Sequence, residues 1–427
     1  MTSYSYSSRN AEIVVAAGIR TPIAKAGGAL KGENVGRLGA LTARELIMQT
    51  GINSALFDEV ITGCVGQPFN QANVSRVISL RAGIPKEVPA RTVARNCASG
   101  MEAVTSAVTS ILAGTGELYL CNGVEVMSSY PLLFNKKMTT FFTSFMKAKT
   151  VKAKIALLLK VRPSFLKPTI ALIQGLTDPT NNLLMGQTAE NVARLLNINR
   201  KECDEFALMS HRKAQTARDL LRFKYETMNV LGAGERQSLC DDDGIRDELT
   251  EEKLNAMAPY FEKPDGITTI GNSCGISDGA VSLIITTNNR AKNLNLTPLA
   301  RIRSFAWEGC DPAYMGLGPV YASKTALKEA NLSLEDIDVI ELNEAFAAQV
   351  IGCVRAFEKE GIGEIKQEKL NPNGGAIALG HPVGATGARL ILTLAHEIQQ
   401  KNVQFGLATL CVGGGQGGAM VLEKINP

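Results

Sequence analysis

The sequence predicts an α/β protein made of two similar halves with a site between them, and three observations carry that prediction. Short apolar runs alternate with helical periodicity along most of the chain, the pattern of βα units with parallel strands. Two distant stretches, SGMEAVTSAVTSILAGTGELYLCNGVEVMS and TGARLILTLAHEIQQKNVQFGLATLCVGGGQG, follow one plan: a glycine, a helix, a short polar turn, a strand ending in Cys, then glycine. The middle of the chain, from Ser128 to Glu248, breaks the alternation as an insertion would. A chain of 427 residues suits about two to three domains or subdomains.

The elements follow in order. Ala11–Ala17 (AEIVVAA) and Phe57–Val65 (FDEVITGCV) read as buried strands, Cys97–Gly114 as an Ala/Val-rich helix and Glu117–Cys121 as the strand after it. Within the insertion, Pro131–Thr177 holds nine Lys/Arg and no Asp or Glu. Its apolar faces come from Phe141, Phe142, Phe145 and Met146, then Ile155, Leu157, Leu158 and Leu159. A solvated helical face on the core is one reading; an anionic-ligand clamp or a membrane- or partner-facing surface is the sharper one. Gly186–Leu196 and Arg200–Leu221 read as amphipathic helices, the second opening on Arg200, Lys201, Glu202 and Asp204. Late in the chain, Ile337–Leu342 is a strand, Thr386–Lys401 a helix and Phe405–Cys411 a strand.

Composition narrows the function classes. The balance of 45 Lys/Arg against 41 Asp/Glu is too even to argue for nucleic acid. Nine cysteines, an odd number with no CxxC pair, argue against a disulfide framework or a zinc site and fit a reducing compartment, the cytoplasm or a eukaryotic mitochondrion. The start, MTSYSYSSRN, lacks the apolar core of a secretory signal; its serines and single Arg hint faintly at a transit peptide. No run of apolar residues is long enough to span a bilayer. Neither a GxxxxGK[ST] loop nor a strand–GxGxxG–helix unit is present, which removes the common nucleotide folds.

With three histidines in the chain, any imidazole base is His211, His381 or His396. His211 sits among charged residues in FALMSHRKAQTARD, a surface setting, and His396 lies mid-helix in LTLAHEIQQK. His381 stands in GGAIALGHPVGATGAR, where Pro382 stiffens a glycine-rich turn that backbone can bring close to a ligand, so it is the functional candidate. Cys97, in ARNCASGMEAV, stands at a helix start; the dipole and free N–H groups there are expected to lower its pKa, although a lone Cys is more often an inert buried residue. Cys411 runs into VGGGQGG, whose N–H groups can bind an oxyanion. Asn343 ends a strand, where its amide either points into a cleft or makes a simple turn.

Taken in order, NCASG, GNSCGISDGA, NEAFA, GHPVGATG and CVGGGQGG resemble the motifs of the thiolase family. Arg20-Thr21-Pro22, GVEVMS at Gly123–Ser128, MGQTAE at Met185–Glu190 and DDGIRDE at Asp242–Glu248 extend the resemblance over nearly the whole chain. It implies thiolase-like duplicated halves, layered mixed sheets with helices, and an inserted loop domain that covers coenzyme A. The expected boundaries are 1–127 completed by about 249–290, 128–248 for the insertion, and 291–427. By the resemblance, Cys97 is the acyl-accepting nucleophile and His381 the base that activates it. Asn343 holds a water that binds an enolate oxygen with His381, and Cys411 moves the α-proton. The N–H groups of Cys97 and Gly413 form an oxyanion hole, while Met185, Cys274 and Phe346 line the substrate side. Coenzyme A and acyl-CoA are expected as substrates, with no metal or redox cofactor, in a homodimer or homotetramer. Cys274 stands where related proteins often have Ser. The long basic insertion resembles that of thiolases in trifunctional β-oxidation complexes, which points to a hydratase/dehydrogenase subunit or a membrane surface as its partner; those relatives usually carry His where this chain has Asn343. A carrier-protein ketosynthase and a non-catalytic CoA- or lipid-binding relative are the rivals. The first would want a second active-site His, and the second would be expected to have lost one of the four reactive residues.

Overall fold

A computed structural model describes residues 4–7, 12–235 and 238–425. The signal and transit readings at the extreme N-terminus therefore fall largely outside the described residues, apart from the strand Tyr4–Ser7. Eleven strands form one mixed sheet: β1 (Tyr4–Ser7), β2 (Ile13–Arg20), β3 (Ala24–Lys25), β4 (Glu59–Gly63), β5 (Ala90–Val93), β6 (Leu118–Val126), β7 (Ser277–Thr287), β8 (Ala300–Gly309), β9 (Val339–Leu342), β10 (Phe405–Val412) and β11 (Gln416–Glu423). Their spatial order is β9-β10-β11-β8-β2-β7-β6-β4-β5, with β1 beside β8 and β3 beside β7. The halves join where β8 meets β2 through Ala300–Val15 and Arg301–Val14.

The expectation of parallel strands needs correction. Only β4–β5, β4–β6 and β9–β10 run parallel. Parallel neighbours need a crossover connection, and these pairs have helices between them. β7 instead returns from the insertion and slots antiparallel between β2 and β6, while β10 and β11 form a hairpin.

The helices that matter here are α1 (Val35–Thr50), α2 (Val74–Ala82), α3 (Ser99–Leu112), α4 (Lys136–Lys147), α5 (Val151–Leu158), α6 (Met185–Leu195), α7 (Arg200–Asp219), α8 (Gly318–Ala330), α9 (Ala347–Lys359) and α10 (Val383–Lys401). Strand alternation sorts them into layers. On β2, Ile13 and Val15 join a central core with α3 and α10, while Val14, Ala16 and Ile19 join an outer core with α1 and α2. On β11, Met420 and Leu422 enter the central core, while Ala419 and Val421 face α8 and α9. The result is five layers, with α3 and α10 between two β layers. That position explains why α10 is apolar on nearly every side. Its Leu390, Ile391, Leu392 and Leu394 are fully buried, each contributing about 1.5–3 kcal/mol.

Several element ends move. β6 runs on past Cys121 to Val126, since β7 and β4 flank that stretch as well. α10 begins at Val383, three residues before Thr386, with Pro382 as its N-cap: the Pro382 carbonyl accepts the N–H groups of Ala385 and Thr386 at 2.9 and 3.0 Å. α3 begins at Ser99, so Cys97 lies before the helix and not in its first turn.

The insertion carries α4 to α7. Asn199 and Glu202 form a capping box that starts α7. On the α4–α5 hairpin, Met146 and Leu159 are each 83% exposed. The insertion is tied to the core by Arg20: its Nε donates to Glu226 Oε1 at 2.7 Å, and Nη1 and Nη2 to Asp242 at 2.7 and 2.9 Å, with all three residues buried. The Arg-Thr-Pro and DDGIRDE motifs thus meet in one ion cluster. His211, expected at the surface, is buried instead, because its side of α7 packs against the loop around Gly374. Its Nδ1 accepts the Arg246 N–H at 3.2 Å, and burial together with the Arg246 charge pushes its pKa down to about 4.

Candidate active site

The site forms where the N-terminal ends of α3 and α10 touch backbone to backbone. A Cβ on Gly100 would lie 2.7 Å from Ala388 N, and one on Gly387 would lie 2.5 Å from Met101 N. The contact is reciprocal, because Gly100–Met101 and Gly387–Ala388 are equivalent positions of the internal repeat. Side chains there would push the helix ends apart, and with them the segments just upstream that carry Cys97 and His381.

Cys97 sits on a tight turn. Asn96 adopts φ 42°, a left-handed conformation that Asn tolerates. The turn is closed by Ala98 N–H to Arg95 O at 2.9 Å and Ser99 N–H to Asn96 O at 3.1 Å. Asn96 Nδ2 donates to Gly413 O at 2.7 Å and so fixes the β10–β11 turn against it. The expected depression of the Cys97 pKa is not found. Burial pushes the thiol above its usual value, the N–H groups of Gly413 and Cys97 itself pull it back, and Glu125 adds to the rise. Cys97 lies outside the helix, and desolvation outweighs the two N–H groups that face its sulfur.

His381 is buried and has a defined tautomer. The Thr386 hydroxyl donates to Pro382 O at 3.0 Å, so its contact with His381 Nδ1 at 2.7 Å takes an N–H from the ring. Nε2 is then the lone-pair nitrogen, and it has no protein partner. Burial and the Arg389 charge push the imidazole down to about 3, so it is neutral at physiological pH. Its main-chain N–H is held by Ser277 Oγ at 3.2 Å and Gly275 O at 3.3 Å.

Asn343, at the end of β9, is fully buried, with its N–H bonded to Thr409 O at 2.9 Å. Neither of its amide atoms, Oδ1 or Nδ2, has a protein partner, an arrangement that suits a group binding a ligand or water. Glu344 beside it accepts from Ser210 Oγ at 2.6 Å, Asn371 Nδ2 at 2.8 Å and Ile377 N at 3.2 Å, bracing the NEAFA segment. Cys411 is buried on β10; burial first, then Cys97, Cys353 and Cys274, push its thiol well up. Cys274 N–H bonds Ala345 O at 3.0 Å, and burial with the nearby Cys97 pushes its thiol up to about 12. Met185 opens α6 and lies over Gly413, where a Cβ would meet its sulfur at 3.3 Å. Phe346 pairs with Ser273 in the backbone and packs edge-on against Phe261 at 5.7 Å.

Cys97, Gly413, Met185, Cys274 and Cys411 therefore come together in one region, with Asn343 and Phe346 on the adjoining NEAFA segment. Thr386, Ser277 and Asn96, which orient these groups, stand in GHPVGATG, GNSCGISDGA and NCASG, as Glu125 stands in GVEVMS, and none is assigned a role by the sequence alone. Thr386 was findable: it lies five residues after His381 in the same glycine-rich run. Among the described residues, no group of three or more His, Cys, Asp or Glu side chains is placed to hold a metal ion.

The architecture is that of a duplicated, five-layered α/β protein. The family model for the thiolase N-terminal domain matches residues 13–289, and that for the thiolase C-terminal domain matches residues 296–424. The chain belongs to the thiolase family. It is 39% identical over 415 residues to a probable acetyl-CoA acyltransferase of Staphylococcus aureus (96% of this chain, 99% of the relative). It is 39% identical over 415 residues to an acetyl-CoA acetyltransferase of Syntrophomonas wolfei (97% and 99%). Among solved structures, the Bacillus anthracis acetyl-CoA acetyltransferase superposes with a TM-score of 0.87 at 34% identity, covering 97% of this chain and 99% of that one. Human mitochondrial 3-ketoacyl-CoA thiolase in complex with CoA does so with a TM-score of 0.86 at 34% identity, covering 97% and 98%.

Proposed function

We propose that the chain is an acyltransferase that cleaves 3-ketoacyl-CoA to acyl-CoA and acetyl-CoA, and runs the reverse Claisen condensation, through an acyl group on Cys97. The observation that supports this most directly is the unpartnered Nε2 of His381, held as an acceptor by Thr386 at the helix contact beside the Cys97 turn.

In thiolysis His381 Nε2 takes the Cys97 proton as the sulfur attacks the 3-keto carbon. The N–H groups of Cys97 and Gly413 receive the negative charge on the acyl oxygen. The bond between C2 and C3 breaks, and its electrons pass into the enolate of acetyl-CoA. Protonated His381, with a water on Asn343, binds that enolate oxygen, while Cys411 gives its proton to the α-carbon. Coenzyme A then attacks the acyl-cysteine, its thiol proton going to Cys411, and Cys97 leaves as the thiol on taking back the proton held by His381. Burial raises both thiols, which favours their protonated forms at rest, so each needs a base when it reacts. The reaction is ping-pong.

Met185, Cys274 and Phe346 line the substrate side in this reading. We also assign the α4–α5 hairpin a contact with an anionic group: the coenzyme A phosphates, a membrane surface or a partner subunit. The test is thiolysis of acetoacetyl-CoA and a long-chain 3-ketoacyl-CoA side by side, with Cys97→Ala as the blank. Turnover of the short substrate alone marks an acetoacetyl-CoA thiolase; preference for the long one marks a fatty-acid-degrading thiolase. Turnover of neither by wild type contradicts the assignment.

A further inference from the structure

Glu125 lies on β6, wholly buried, and the mechanism above does not use it. Its carboxylate accepts four hydrogen bonds from N–H and O–H groups, and a long one from the Cys64 thiol. Oε2 takes the N–H of Val65 at 3.0 Å and of Gly384 at 3.1 Å; Oε1 takes the N–H of Gly66 at 2.9 Å and the Tyr130 hydroxyl at 3.0 Å. All four of these partners donate, which favours the carboxylate form; burial opposes them and pushes the carboxyl above its usual value. The partners belong to three separate pieces of the chain. Val65 and Gly66 follow β4. Tyr130 opens the insertion. Gly384 is the second residue of α10, three residues beyond His381. Two of the partners are glycines with no room for a side chain: a Cβ on Gly384 would meet Glu125 Oε2 at 2.6 Å and Val124 O at 2.5 Å, and one on Gly66 would meet the Tyr130 ring at 2.2 Å.

We propose that Glu125 is a positioning residue for the reacting pair: its carboxylate pins the first turn of α10, and so His381, at a fixed distance from the Cys97 turn, and latches the insertion at Tyr130 to the same point. The carboxylate also sits at the positive end of the α10 dipole, where a negative charge is favoured. Its charge reaches Cys97 and raises that thiol. The titratable groups facing it are Cys64, whose sulfur is 4.0 Å from Oε1, Tyr130 and Cys97; α10 presents only its backbone N–H. Cys97 is faced in addition by Cys274 and Cys411.

The proposal rests on the acyl-cysteine reading, so one of its readouts needs no substrate. In Glu125→Gln the side-chain shape is kept, but the charge and one acceptor are lost. The kcat of thiolysis is expected to fall about ten- to a hundredfold, as for a misplaced catalytic group, with KM for coenzyme A within about twofold. The pH midpoint for alkylation of Cys97 by iodoacetamide, measured on the full chain without substrate, is expected to move down. A purely structural role would not move it in that direction. Glu125→Asp keeps the charge but shortens the reach; its midpoint should stay in place while kcat falls. Wild-type kcat in Glu125→Gln, or an alkylation midpoint that stays put in a folded Glu125→Gln protein, overturns the proposal. If Glu125→Gln does not fold, wild-type kcat in Glu125→Asp overturns it. Should wild type turn over no thioester at all, the functional reading fails, while the alkylation comparison still decides the role of Glu125.

Discussion

At the scale of residues, the site pairs two groups that are both neutral at rest. Burial lifts the Cys97 thiol and pushes His381 down to about 3, which favours the neutral form of each group. The sign follows directly: a thiol with a raised pKa loses its proton only at higher pH. Alkylation of Cys97 by iodoacetamide is therefore expected to be slow at neutral pH and to climb only above the usual thiol range, with Cys97→Ala as the control. A plateau already reached by pH 7 would show a preformed thiolate. Cys97, His381 and Cys411 were legible as candidates because small residues or glycines surround a reactive atom, and Asn343 because it ends a strand. The pKa of Cys97 was not, since the sequence shows a nearby helix start but not the desolvation that opposes it.

At the scale of elements, the helix ends do the positioning. Gly100→Ala would set a Cβ 2.7 Å from the backbone nitrogen of Ala388, where no flexible side chain can give way. It is expected to cost about 1–3 kcal/mol of stability, read as a lower denaturant midpoint, and to lower kcat because Cys97 and His381 move apart. The strands and helices on either side were readable from periodicity. Their partners were not, because the antiparallel place of β7 depends on where the chain returns after the insertion. The α4–α5 hairpin exposes apolar side chains among its lysines. Changing Lys147, Lys149, Lys152 and Lys154 to Glu should abolish binding to anionic vesicles if the hairpin faces a membrane, or raise KM for coenzyme A if it holds the phosphates. If vesicle binding and KM both survive, the membrane and phosphate roles are wrong.

At the scale of the whole molecule, a long insertion is tied to a duplicated core by buried polar contacts, among them the Arg20 cluster and the Ser210–Glu344 hydrogen bond. Arg20 holds Glu226 and Asp242 where water does not reach. Arg20→Met leaves two buried carboxylates without their cation, and a loss of about 3–5 kcal/mol is expected, read by denaturant unfolding. A change below about 1 kcal/mol would mean the cluster relaxes into solvent. The duplication was visible as a shared plan in two stretches of sequence. The reciprocal contact between their helix ends was not, because periodicity shows which face of an element is buried but not which element lies against it.

The central claim is that Cys97 carries the acyl group. The most direct test mixes the protein with acetoacetyl-CoA in the absence of free coenzyme A, quenches it in acid and maps the modified peptide by mass spectrometry. The account predicts one acetyl group per chain, located on Cys97, removed by coenzyme A and absent from Cys97→Ala. An acetyl group on another residue, or none while wild type still turns over, would contradict it.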